Sequence, residues 1–371
     1  MENKWKIHKK LLVFSAVFLA LFGLLMQYSA SCYSAERQFG DAFYYVKKQA
    51  IALVFALVVM YGVKFIKTEW LKKWRYMILA FSLVLLALVF LPKIGVENYG
   101  AKRWINLGFT TMQPSDVAKF ALVIFIAGCL DKKSSITFKN MIPILIATAL
   151  VCVMIMLEPN MSVTMCVGVV VLILLFVGGC DYKHFLIMAV PVVAGVIALI
   201  LMEPYRVKRL MAFIDPWASP LGEGYQLIQS YYALGSGGLF GLGLFNSRQK
   251  YLFLTFSESD FILSIVGEEL GFVGIVLILC IFIVITYQGL KVAKNAITRF
   301  DSYLALGITA IISVQTLINV AVISGSIPPT GIPLPFVSNG GTSLMCFMAG
   351  IGLLENIASK SQKSYLNHKM Y

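Results

Sequence analysis

The sequence predicts an all-α polytopic membrane protein of about ten transmembrane helices in one domain spanning residues 1–371. Three observations carry this. Hydrophobic residues make up 59% of the chain and charged residues only 13%, where a soluble protein carries roughly 25% charge. The mean hydropathy is +0.83. The apolar residues also fall in long runs that approach the ~20 residues needed to cross a bilayer. A soluble enzyme, a disordered chain and a fibrous protein are excluded on this composition.

The expected spans, in order, are 11–31, 44–66, 76–92, 115–130, 141–157, 162–179, 185–203, 261–287, 302–324 and 337–356. The first follows Lys4, Lys6, Lys9 and Lys10 and has no clean small-residue cleavage site, so it reads as a retained helix rather than a signal peptide. With ten spans, the basic clusters fall on one side: the N-terminal tail, Lys64 to Arg75, Lys132 to Lys139, Lys291 to Arg299 and the tail from Lys360. That side is cytoplasmic by the positive-inside rule, so both termini are cytoplasmic.

The net charge of +13 therefore sets topology and does not call for nucleic acid. The outer side carries 12 basic and 12 acidic residues, so the whole surplus is cytoplasmic. Orientation does not explain twelve outer cations, which points to function there. The seven cysteines mostly sit in apolar runs and imply no disulfide framework. His8, His184 and His368 show no metal-ligand spacing, and all are expected on the cytoplasmic side. Outer acid–base chemistry must then use Asp, Glu, Lys or Tyr.

Two outer segments stand out. One is Lys93 to Gln113, containing GAKRWINLG; the other is the long extracytoplasmic loop between helices 7 and 8, about 204–260. A loop of that length in a compact membrane domain is usually functional. Within it, Tyr225 to Leu234 reads as a short amphipathic helix lying at the interface. The glycine run from Gly235 to Gly243 lacks a preceding strand and a following Lys-Ser/Thr, so a tight packing loop is a better reading than a phosphate loop.

Asp260 closes the long loop and precedes a spanning helix. It reads either as a helix N-cap or as a general base at the membrane surface. Glu268 and Glu269 lie in or at the mouth of the span, where carboxylates are functional or paired with cations. Lys119 sits in an apolar run one turn after Asp116, so it should face a cavity or a partner. With Arg103, Arg248 and Lys250, it forms a cation set that suits a lipid-linked diphosphate. EPN at Glu158 to Asn160 and PPTGIPLPFVSNGGTS at Pro328 to Ser343 interrupt helices at membrane depth, so they should line a cavity.

GAKRWINLG, QPSDVAK, LEPNMSVT, FIDPWASPLGEGYQLIQSYYALGSGGLFGLGL, DFILSIVGEELGFVG and PLPFVSNGGTS occur in the order found in the SEDS family (shape, elongation, division and sporulation), which the chain resembles over nearly its whole length. NSRQK and GAKRWINLG look closer to the FtsW and SpoVE branch than to RodA. The resemblance implies a peptidoglycan glycosyltransferase in the bacterial cytoplasmic membrane, polymerising lipid II into a nascent glycan strand on the outer face. It also implies a class B penicillin-binding protein as transpeptidase partner, with other division or sporulation membrane proteins nearby.

By the same resemblance, the catalytic aspartate of the family's HTDF segment falls on Asp260. The acidic residue and lysine of QPSE-x-x-K fall on Asp116 and Lys119, and the arginine of RWI on Arg103. The chain departs from the pattern at Asp116, at Thr255, Glu258 and Ser259 before the aspartate, at Asn160 and at Asn339. Glu258 is expected to raise the pKa of Asp260 by like-charge repulsion. A divalent cation, Mg or Mn, is a possible addition near Asp116 or Glu269. The residues themselves leave two other readings open: a lipid II transporter, or a non-catalytic scaffold for the penicillin-binding protein.

Overall fold

The computed structural model describes residues 2–98, 101–106, 111–131, 138–185, 187, 195 and 204–370. Eleven α-helices are assigned among them: α1 (Glu2–Phe39), α2 (Tyr44–Val63), α3 (Thr68–Leu88), α4 (Pro114–Leu130), α5 (Phe138–Leu157), α6 (Met161–Val177), α7 (Pro204–Ile214), α8 (Tyr225–Gly237), α9 (Ile262–Lys294), α10 (Arg299–Ile323) and α11 (Gly341–Met370). Six of them, α1, α2, α5, α9, α10 and α11, contain stretches long and apolar enough to cross a membrane. α6 is apolar but shorter. The seventh expected span, 185–203, lies almost entirely outside the described residues.

The packing follows from the residue patterns. α4 is apolar nearly all round, and nearly all of its side chains are buried, as expected for a central helix. It packs against α3 and α10, and α10 packs also against α6 and α9. α11 lies on α2 and α1, and α9 lies on α1 and α8. The outward faces stay apolar, with Val54, Phe55 and Val58 on α2 and Ile146 and Val153 on α5 all exposed. Exposed large side chains of this kind, on helices of spanning length, fit a hydrocarbon surround.

The expectation of an all-α chain needs one correction. Residues 95–112 include an antiparallel sheet of β1 (Gly95–Asn98), β2 (Ala101–Asn106) and β3 (Thr111–Met112). Val96 pairs with Trp104, and Ile105 pairs with Gly95 and Met112. Ile105 is buried while Lys102 and Asn106 are exposed. An extended pairing of this kind satisfies the main chain of a segment too polar to enter the membrane.

The long loop is structured. It contains α7, a 3₁₀ turn at Pro216–Ala218, and α8, which buries Leu227, Ile228 and Ala233 where the sequence predicts an amphipathic helix. The glycine-rich stretch after α8 then pairs with α9. Phe272 and Val273 donate to the carbonyls of Gly238 and Leu239, and Leu242 and Gly243 donate to those of Glu268 and Glu269. Gly271 makes this pairing possible, with φ 68° inside α9 and no room for a side chain against Leu239 and Gly241.

Candidate active site around Asp260

Asp260 sits just before α9, but Phe261 holds the N-cap position and no side-chain cap bond is made. The N-cap reading of Asp260 therefore falls. Instead, the segment before α9 lies against the segment after α10. The main-chain N–H of Asn339 donates to the carbonyl of Glu258 (3.0 Å), and the Ser338 hydroxyl donates to that of Ser259 (2.6 Å). The Asn319 side-chain amide donates to that of Asp260 (2.8 Å). Both helix-breaking motifs thus wall the site.

Gly331 marks where the site's charges meet. A Cβ there would lie 3.3 Å from Asp260 Oδ2 and 3.9 Å from Arg103 Nη1. Arg103 comes from β2 and is fastened to the EPN break. Its Nε donates to the Glu158 carbonyl (3.1 Å) and its Nη2 to the Pro159 carbonyl (2.6 Å). The break supplies those carbonyls because residues 158–160 leave the helical ladder. Asn160 then restarts it as the N-cap of α6, accepting from Val163 N–H (3.3 Å). Asn and Asp cap about equally well, so this departure from the family pattern costs the helix little.

Arg209 of α7 is a third member; the sequence shows it only as part of an outer basic cluster with Arg206 and Lys208, not as a candidate site residue. It donates to the Pro329 carbonyl (3.4 Å), pairs with Glu223 (3.5 Å), and draws the Asp260 pKa down. Desolvation nevertheless dominates and pushes the half-buried Asp260 up to about 7; Arg103 opposes this, Glu258 adds to it, and Arg209 opposes it more weakly. The upward effect expected of Glu258 is present, but it is smaller than that of burial. Glu158, fully buried, is pushed up to about 8 by desolvation, with Arg103 opposing. Neither of its carboxyl oxygens has a hydrogen-bond partner among the described residues.

The other expected site residues have different occupations. Lys119 is buried, bonded to Asp116 (2.7 Å) and to Gln315 Oε1 (2.8 Å), with its ammonium over the Phe347 ring. Glu268 accepts from the Ser247 hydroxyl and the main-chain N–H groups of Arg248 and Gln249. Glu269 accepts from the Ser29 hydroxyl and the N–H groups of Phe245 and Ser247, with Lys250 3.6 Å away. Lys250 is buried and also donates to the Phe245 carbonyl. These contacts hold the glycine-rich loop on α9. The side chain of Arg248 remains exposed beside them.

Neither Asp116 nor Glu269 fits a divalent cation. Each is committed to an ammonium or to several donors, and no group of three or more metal-ligating side chains occurs among the described residues.

The fold and site define a multi-pass helical membrane protein with a desolvated carboxyl under the influence of two arginines. The family model described as "Cell cycle protein" (FtsW, RodA, SpoVE) matches residues 9–363. Stage V sporulation protein E of Bacillus subtilis (strain 168) is 37% identical over 356 residues, covering 95% of this chain and 97% of that protein. The probable peptidoglycan glycosyltransferase FtsW of Geobacter sp. (strain M18) is 35% identical over 348 residues, covering 93% and 95%. Among solved structures, a chain of a peptidoglycan synthase complex that coordinates polymerization and crosslinking has a TM-score of 0.78 at 26% identity, covering 94% and 97%. The rod shape determining protein RodA of Thermus thermophilus has a TM-score of 0.70 at 25% identity, covering 94% and 96%. The chain belongs to the FtsW/RodA/SpoVE family.

Proposed function

We propose that this chain joins lipid II units into glycan strands on the outer face of the bacterial cytoplasmic membrane, with Asp260 as general base. The activity is peptidoglycan glycosyl transfer, the one its FtsW relatives are named for. The observation that carries the role of Asp260 is a carboxyl held near pH 7 by desolvation beside Arg103 and Arg209. A base with a pKa close to the working pH balances ionisation against proton affinity.

In this reading the Asp260 carboxylate takes the proton of the acceptor sugar's 4-hydroxyl. The oxygen attacks the anomeric carbon of the donor, and the lipid diphosphate leaves with the bonding electron pair. One direct displacement inverts that carbon. Arg103 and Arg209 face the charge that develops on the leaving group, and the exposed Arg248 serves the approach of the diphosphate. Asp116, Lys119, Lys250, Glu268 and Glu269 act by holding the walls. The topology in this reading has ten spans, with both termini cytoplasmic and residues 204–260 outside. The partner is a class B penicillin-binding protein that cross-links the strand.

The test is polymerisation of purified lipid II by the purified protein with its partner, wild type beside Asp260→Asn. Loss of a general base costs about 10²–10⁴ in rate. Equal glycan from both proteins removes Asp260 from this role. Glycan from neither, with labelled lipid II crossing vesicle membranes, replaces the polymerase reading with transport.

A further inference from the structure

Asn319 is 1% exposed and lies in the middle of an apolar stretch of α10. Its Nδ2 donates to the Asp260 carbonyl and to the Ile332 carbonyl, both at 2.8 Å. Both partners are carbonyls, so the amide nitrogen must face them; chemistry fixes the orientation of the group. One side chain therefore ties the main chain of Asp260 to the residue after Gly331, whose Cα faces the Asp260 carboxyl. One turn earlier, Gln315 donates to the Pro333 carbonyl (2.9 Å) and accepts from Lys119. The wall of the site is thus pinned from α10 at two successive carbonyls, and only Asn319 also holds Asp260.

We propose that Asn319 is a positioning residue for the transfer reaction: its amide sets the register between Asp260 and the 329–333 wall, and so decides how closely that wall shields the carboxyl from water. The inference rests on Asp260 being the base. Ser338 makes a parallel tie one residue away, donating to the Ser259 carbonyl while accepting from the Leu334 N–H (2.8 Å), and Asn339 holds the Glu258 carbonyl through its main chain; the tie at Asp260 itself is that of Asn319. A mere filler of hydrogen bonds would leave the chemistry of Asp260 untouched when replaced. A register residue would not, because displacement of a reacting group by about 1 Å costs roughly 100-fold in rate.

The experiment uses the full chain with its transpeptidase partner and lipid II as substrate. It compares wild type, Asn319→Ala, the same-sized Asn319→Asp, and Asp260→Asn, measuring kcat and KM from pH 5.5 to 9. For both Asn319 variants, kcat should fall about 10- to 100-fold with KM within about threefold. In Asn319→Ala the acid limb should move below 7, because water reaching the carboxyl returns it toward ordinary values; Asn319→Asp adds a like charge that opposes this shift, so the limb is read on the alanine variant. Wild-type kcat with an unmoved limb overturns the proposal. A raised KM with unchanged kcat overturns it as well. If both variants melt early yet regain full kcat at lower temperature, Asn319 serves stability alone and the proposal falls. An active Asp260→Asn instead sinks the base reading beneath it. An inactive Asp260→Asn with unaffected Asn319 variants sinks only the positioning role.

Discussion

Arg103→Met should move the acid limb of activity to higher pH. Asp260 Oδ2 and Arg103 Nη1 lie within 3.3 and 3.9 Å of one point, so they are no more than about 7 Å apart. At an effective dielectric near 20, two unit charges at that separation interact by about 2 kcal/mol. Asp260 is only half-buried, and screening reduces this to about 1.4 kcal/mol, or about one pH unit. The guanidinium favours the ionised carboxylate, so its removal raises the pKa of Asp260 from about 7 toward about 8. A base works when ionised. At pH 7 the working fraction therefore falls from about one half to about one tenth, and it recovers by pH 9. The assay is kcat/KM for lipid II polymerisation against pH, which reports the free enzyme. Any loss of leaving-group stabilisation lowers the whole curve without moving its limb, so the limb is the diagnostic. Arg103→Lys keeps the charge and should keep the limb close to 7 while losing the two-carbonyl anchorage. A limb that stays at or below 7 in Arg103→Met refutes the electrostatic link.

Three further outcomes follow from the same geometry. Glu158 is raised from 4.5 to about 8 in the fold, so its share of stability is full below about 4.5 and is lost as pH rises through about 8. Glu158→Gln should remove a decline of about 1.4 kcal/mol per pH unit across that window, visible as a flatter melting temperature against pH. Lys119→Met should destabilise by about 3–5 kcal/mol by stranding the buried Asp116 charge. Adding Asp116→Asn should restore much of that in thermal melts of detergent-solubilised protein. Gly271→Ala should lower stability by at least about 2 kcal/mol, since it combines a positive φ with a clash, and increased proteolysis of the 238–250 loop would report it.

The class of protein is legible in composition because hydrocarbon tolerates little else than apolar helices. The site's walls are legible too, because EPN and SNGG interrupt helices where interruption is costly. Asp260 is legible by its place at the mouth of a span. The partners of these groups are not. Asn319 and Gln315 look like polar lapses in an apolar run, and their acceptors lie on other segments of the chain. Arg209 is one of three cations in a basic cluster, and its partners, the Pro329 carbonyl and Glu223, lie on other segments of the chain. Glu268 and Glu269 read as functional or cation-paired carboxylates, because their donors are serine hydroxyls and main-chain N–H groups, which every sequence contains. The β2 strand was equally hidden, since six residues of mixed polarity carry no reliable period.

The three successive carbonyls at 258–260 have an implication for biogenesis. Their donors, Asn319, Ser338 and Asn339, arrive 59 to 81 residues later in the chain. During synthesis the aspartate therefore emerges well before the donors to these three carbonyls. A chain halted between Asp260 and α10 has the base but neither its anchor nor the wall that shields it. Such an intermediate lacks the assembled site, so activity begins only when the last third of the protein has been inserted and packed.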